Sequence, residues 1–117
     1  MIEPLQLPNA NEAVIAAEKL RDYSLDPSHP AGRHKARVFA AALGIRRDDW
    51  EYLRRAILDA LPTASVTGVR ETGHGLLFEV PVRIVGLNGR SATVLTAWHL
   101  GRSEVRPRLA SAYINRS

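Results

Sequence analysis

Four basic side chains stand together at Arg33, His34, Lys35 and Arg37, within the segment GRHKARVFAAALG. Three of them carry fixed positive charge, and the fourth is an imidazole able to take or give a proton. The apolar residues that follow place the cluster in the first turns of a helix, where the macrodipole favours acidic residues rather than basic ones. Local rules broken in this way are met more often at functional sites than elsewhere. Free N–H groups at a helix start, together with cations, make a site for phosphate. Equally, such a cluster is what a solvated basic face looks like, its long side chains covering apolar surface. On a helical wheel His34 lies opposite the apolar stripe, with Arg33 and Arg37 on one flank and Lys35 on the other.

A second candidate site comes from counting strand register. From Ser65 the apolar period falls from 3.6 to 2, and Leu76, Phe78, Val80, Val82 and Ile84 alternate with Leu77, Glu79, Pro81, Arg83 and Val85. Asn88-Gly89 is a two-residue hairpin signal leading into SATVLTAWHL. With those two residues as the loop, Leu87 pairs with Arg90, Ile84 with Thr93, Val82 with Leu95 and Val80 with Ala97. That face is apolar and belongs under the helices, with His99 packed on it. The other face then carries Glu79, Arg83, Thr96 and Trp98, an acid, a base, a hydroxyl and an indole on an open sheet. A slip of one residue would exchange the faces. Trp98 and Tyr113 are the aromatic rings of this half able to stack on bases. Aromatic residues in strands are more often there for core or edge packing.

His29 lies in the turn Asp26-Pro27-Ser28-His29-Pro30 and is expected to hold it by hydrogen bonds. His74, between Gly73 and Gly75, marks a hairpin tip. No His-x-His, HExxH or clustered carboxylates appear, so no metal ligands are assigned, and no phosphate-loop or dinucleotide glycine pattern calls for a cofactor.

Composition bounds these possibilities. The chain has 117 residues, 45% apolar and 24% charged, enough for one domain with its own core. It has no cysteine, which suits a reducing compartment. The start MIEPLQLPNANEAVIAA lacks the pattern of a signal peptide, and no stretch has the ~20 apolar residues of a membrane span. A cytoplasmic location is expected. Residues 1–62 hold nine Lys/Arg and nine Asp/Glu, while residues 63–117 hold seven Arg and three Glu, so the net charge of +4 belongs to the second half. Fourteen of the sixteen cations are Arg, the side chain suited to bidentate phosphate contact.

The elements that must position these residues are helices first and strands second. Val14, Ala17, Leu20 and Leu25 give a loose helical pattern, with a short strand at Val14-Ile15 before a helix from Ala17 as the alternative. Ala36, Phe39, Ala40 and Leu43 form the stripe of the next helix, which Gly44 ends. Asp48 and Glu51 read as a capping box for a third helix that buries Trp50, Leu53, Ile57 and Leu61 and closes at Pro62. A last strand is expected around residues 108–114. The expected fold is α+β, one domain over residues 1–117, with helices on one face of an antiparallel sheet of about four strands.

Several segments carry a resemblance. LPNA (7–10), Lys19-Leu20 with Tyr23 and Leu25, HPAGRHKARVFAAALG (29–44), GLNGRSATVLTAWHL (86–100) and RPRLASAY (106–113) look like a family of small bacterial proteins filed as a domain of unknown function. Its members are often labelled adhesin, are similar to the C-terminal modules of polymorphic toxins, and are often encoded beside a second, very small protein, as in a toxin–antitoxin pair. The order of elements, ending in an Arg-Leu-x-Ser strand (108–111), resembles the barnase, EndoU, colicin and RelE group of ribonucleases. What that likeness implies is metal-independent RNA cleavage. His34 or Lys35 would act as acid or base, Arg90 and Arg108 would stabilise phosphate, Thr96 or Ser111 would position it, and Trp98 would stack a base. Arg33, Arg37 and Tyr113 would add binding contacts.

Two functions are therefore expected in competition. One is a ribonuclease-like toxin restrained by a small antitoxin protein. The other is a non-catalytic module whose basic strip pairs with an acidic neighbour, anchored by Trp98 or Trp50. An exposed edge on the last strand would allow homodimerisation by strand pairing.

Overall fold

Helices form where apolar residues recur at helical spacing, and strands where they alternate. A computed structural model describes residues 5–115 of the chain. The helices are α1 (Ala17–Lys19), α2 (Arg33–Leu43) and α3 (Trp50–Ala60). The strands β1 (Gly68–Thr72), β2 (Gly75–Val85), β3 (Ser91–Gly101) and β4 (Arg108–Tyr113) form one antiparallel sheet in the order β1-β2-β3-β4. This is the α+β arrangement expected, with helices before the sheet. No described helix is long and apolar enough to cross a membrane.

Val14 takes the strand alternative, bridging to Arg108 beside β4, and the helix starts only at Ala17. A π-helical turn over Leu20–Ser24 follows, closed by Leu25 N–H on the Leu20 carbonyl at 2.8 Å. In α2, Ala36, Phe39, Ala42 and Leu43 are buried, and Gly44 ends the helix at φ 64°. Ala40 is only half-buried, at the margin of the stripe. The expected capping box is displaced by two residues toward the N-terminus. Asp49, not Glu51, accepts the Arg46 backbone N–H at 2.9 Å, because a 3-10 turn over Arg47–Asp49 precedes α3. Leu53 and Ile57 are buried as expected, and Trp50 is half-buried with the Arg21 guanidinium 5.8 Å from its ring centre.

The β2–β3 register differs by one residue from the hairpin count. Val80 pairs with Thr96, Val82 with Val94 and Ile84 with Ala92, so the strands end at Val85 and Ser91. The faces of β2 are unaffected, but those of β3 are exchanged. Thr96 and Trp98 lie under the helices, 2% and 0% exposed, in a core with Phe39, Leu43, Leu53 and Ile57. His99, Ala97 and Leu95 turn to the open face.

The cause is visible at the loop. The Asn88 backbone N–H donates to the Leu43 carbonyl at 3.3 Å, and its side-chain amide donates to the Ala42 carbonyl, also at 3.3 Å. A two-residue type I′ turn needs positive φ at both central residues, and here only Gly89 has it. The last carbonyls of α2, left without partners inside the helix, capture Asn88 instead. A Cβ on Gly86 would stand 2.3 Å from the Leu43 carbonyl oxygen, so only glycine lets the loop come this close.

The outer edge of β4 is partly occupied. Val14 exchanges backbone hydrogen bonds with Pro107 and Leu109 at 2.9 Å each, and Ser24 Oγ donates to the Ala112 carbonyl at 2.8 Å. The edge expected to pair with a second copy is thus partly covered, while β1 has β2 alone as a neighbour in the sheet.

Candidate functional site

Residues paired across antiparallel strands share a face, so the register alone gives the layout of the open side. One row runs Arg70, Leu77, His99 and Arg108 across all four strands. The next runs Gly68, Glu79, Ala97 and Ser111, and a third holds Pro81, Leu95 and Tyr113. Glu79 is diagonal to both Arg70 and His99, a separation of about 7–8 Å in such ladders. A β-bulge between Ala97 and Trp98 re-aims β4 beside this group.

Glu79 is exposed, and its carboxylate leans over Gly68, where a Cβ would stand 3.0 Å from Oε2. No described cation lies within ion-pair distance of it. His99 is held differently. Its Nδ1 lies 3.9 Å from Glu104 Oε1, and the same carboxylate pairs with Arg108 at 3.2 Å and accepts the Gly101 N–H at 2.9 Å. Nδ1 thus faces the Glu104 carboxylate, and Nε2 is the ring nitrogen left for other partners.

Two adjoining hollows open on this face. One, of about 250 Å3, is lined by Arg70, Glu79, Ser111 and Tyr113 over Leu77 and Leu95. The other, of about 270 Å3, lies between His99, Arg108 and the Val14–Lys19 segment.

Lys35 reaches this region from α2. Its Nζ donates to Tyr23 Oη at 2.8 Å and lies 5.9 Å from the Tyr113 ring centre. Tyr23 in turn packs edge-on against His29 at 4.9 Å between ring centres. His29 Nδ1 accepts the N–H groups of Ala31 and Gly32 at 3.0 Å each, which is the loop-holding role its position suggested. A Cβ on Gly32 would meet the Tyr23 carbonyl oxygen at 2.0 Å, so this turn closes only around glycine. The result is a half-buried cation at the rim of the sheet face.

The sequence-derived candidates are therefore divided. Lys35, Arg108, Ser111 and Tyr113 lie on or beside the open face. Thr96 and Trp98 are in the core, where Trp98 Nε1 donates to Thr96 Oγ1 at 2.8 Å and no base can reach the ring. Arg90 sits at the β2–β3 loop; the stretch of β3 from Ser91 to His99 puts it about 27 Å from Arg108. His34 is exposed on α2, and Arg33 and Arg37 point to a groove on the side of α2 away from Lys35. Among the described residues no cluster of three or more His, Cys, Asp or Glu is placed to hold a metal ion.

Arg70, Tyr23 and His99 were not singled out from sequence as site residues. Arg70 had a usable signal: a two-residue turn at Gly73-His74 pairs Thr72 with Gly75 and so Arg70 with Leu77. His99 was hidden by the one-residue register error. Tyr23 had no signal, because a π-helical turn sets its direction.

No curated protein and no solved structure matches the chain. Residues 6–116 match the model of a family described as a domain of unknown function, DUF6883, and the chain belongs to that family.

Proposed function

We propose that the open face of the sheet binds single-stranded RNA and cleaves it without a metal ion, as the toxin of a toxin–antitoxin pair. The observation that carries this is the placement of Glu79 diagonal to both Arg70 and His99, with Arg108 paired to His99 on the same face. RNA cleavage by internal transfer needs a base, an acid and cations, and all three types converge there. Glu79 takes the proton of a ribose 2′-hydroxyl, and that oxygen attacks the adjacent phosphorus. The bond to the 5′-oxygen breaks, and His99 Nε2 protonates the leaving oxygen. The products are a 2′,3′-cyclic phosphate and a free 5′-hydroxyl. Arg70, Arg108 and the ammonium of Lys35 stabilise charge on the phosphate oxygens as it develops. Tyr113, at 36% exposure, offers a ring for a neighbouring base, taking the place first assigned to Trp98. Ser111 supplies a hydroxyl on the row of Glu79.

This assignment moves the acid and base from the start of α2 to the sheet and keeps the reaction class that the resemblance implied. The test is cleavage of end-labelled RNA in EDTA by the wild type, Glu79→Gln and His99→Ala. Cleavage by the wild type, giving cyclic-phosphate ends, with loss in both variants supports the assignment. Equal cleavage by all three, or none by the wild type, overturns it. Growth arrest on expression, relieved by the small neighbouring gene product, is the expected cellular result.

A further inference from the structure

Lys35 and the pair Arg33/Arg37 leave α2 on different flanks, and the second flank borders a separate groove. This groove, of about 380 Å3, has an aliphatic floor of Leu25, Ala36 and Ala40. Arg33 and Arg37 stand on one wall, Arg46 and Arg47 on the other, and Asp48 is the one carboxylate in the lining. Arg47 is held by Asp22 at 2.8 Å and by the Arg21 carbonyl at 2.9 Å. Arg33, Arg37 and Arg46 have no carboxylate within ion-pair distance among the described residues. Three exposed guanidinium groups thus face solvent around an apolar trough.

We infer that this groove docks an acidic amphipathic helix of a partner protein. The floor decides against nucleic acid. It offers aliphatic surface and no aromatic ring, whereas single-stranded RNA binders combine cations with rings that stack on bases. Apolar side chains of a protein segment fit such a floor, and its flanking carboxylates meet the arginines. Arg33 and Arg37 are one helical turn apart, about 6 Å along the axis. Carboxylates at positions i and i+4 of a partner helix have the same spacing. With Arg47 paired to Asp22, the three remaining Arg against Asp48 leave a local excess of two positive charges for an acidic partner to neutralise. The groove lies on the flank of α2 away from the open sheet face, so the inference stands whether or not that face cleaves RNA.

The probe is a fluorescein-labelled helical peptide of about fifteen residues, with a leucine ridge flanked by glutamates, followed by fluorescence anisotropy. Binding to the wild-type chain should weaken about tenfold or more in Arg33→Glu/Arg37→Glu, because each attraction becomes a repulsion. A peptide with glutamine in place of glutamate should lose a similar factor. Ala40→Trp, which fills the floor, should also weaken binding. If that variant does not fold, the arginine pair still decides, since both side chains are exposed. Three results overturn the inference: no binding of the acidic peptide by the wild type, binding unchanged by the double reversal, or displacement of the peptide by an oligoribonucleotide that the double reversal also releases.

Discussion

The indole N–H of Trp98 donates to the hydroxyl of Thr96, two residues back on the same buried face of β3, at 2.8 Å. The Thr96 hydroxyl donates onward to the Val80 carbonyl of β2. Both side chains are buried, so the chain of donors satisfies groups that water does not reach. Thr96→Val keeps the shape and orphans the indole, at a cost of about 1–3 kcal/mol. Urea unfolding should show a lower midpoint with an unchanged slope. Trp98→Ala should cost about 3–5 kcal/mol through the cavity it leaves. RNA cleavage per folded molecule should be unchanged in Thr96→Val. A loss of cleavage without a loss of stability would return these residues to the open face and defeat the register.

The contrast between β2 and β3 shows where sequence reasoning stops. Alternation along β2 places Glu79 and Arg83 outward whatever it pairs with, because side-chain direction within a strand is local. Pairing is not local. It depended on whether Asn88-Gly89 closes by itself or docks on α2, and the carbonyls of Ala42 and Leu43 decided that. A helix terminus some forty-five residues upstream is outside any hairpin count. The start of α2 was legible as a cationic cluster, and the helical wheel already put Lys35 on one flank and Arg33/Arg37 on the other. What each flank meets, Tyr113 on one side and the groove with Arg46 on the other, was not legible. Gly44 ended its helix as its chemistry requires, whereas Pro62 does not close α3: the chain stays helical through it in a 3-10 turn over Leu61–Thr63.

The docked loop makes its own prediction. Gly86 is buried against Leu43, and Gly86→Ala would push a methyl into the Leu43 carbonyl. The expected destabilisation is about 1–3 kcal/mol, the range for overpacking a filled site. Hydrogen exchange should show the amide of Asn88 losing protection first. An unchanged melting temperature together with unchanged exchange would mean that the loop does not rest on α2.

The open-face assignment separates residues that the resemblance grouped together. Glu79→Gln should slow RNA cleavage about 10²–10⁴-fold, the usual contribution of a positioned base. Arg70→Ala and Lys35→Ala should each slow it by up to about 10²–10³-fold, as expected for groups that stabilise developing charge. Arg90→Ala should change the rate less than about twofold, because Arg90 lies at the far end of the hairpin, about 27 Å from Arg108. Melting curves confirm folding in each case. A rate that falls with Arg90 and not with Arg70 would place the site at the β2–β3 loop.

The most strongly perturbed acid in the structure lies elsewhere. Asp22 accepts two hydrogen bonds from Arg21, at 3.0 and 2.7 Å, and one from Arg47 at 2.8 Å. These bonds, Arg21's foremost, hold its carboxyl well below the ordinary carboxylate range, with charge attraction adding to them. The folded state therefore takes up this proton less readily than the unfolded chain does. Its contribution to stability is complete above the unfolded value, about pH 4, and is lost as pH falls toward the depressed folded value. Asp22→Asn should melt below the wild type near pH 7, and the gap should narrow as pH drops below about 4. A third of the side chain is exposed, at 33%, so solvent weakens the effect and about 0.5 M salt should shrink the gap near pH 7. The contact ties the π-helical turn to the start of α3 through Arg47, so the amide exchange of Arg47 and Asp48 should rise with the loss. A gap that stays constant from pH 7 to pH 2 would show that Asp22 acts through packing and not through its charge.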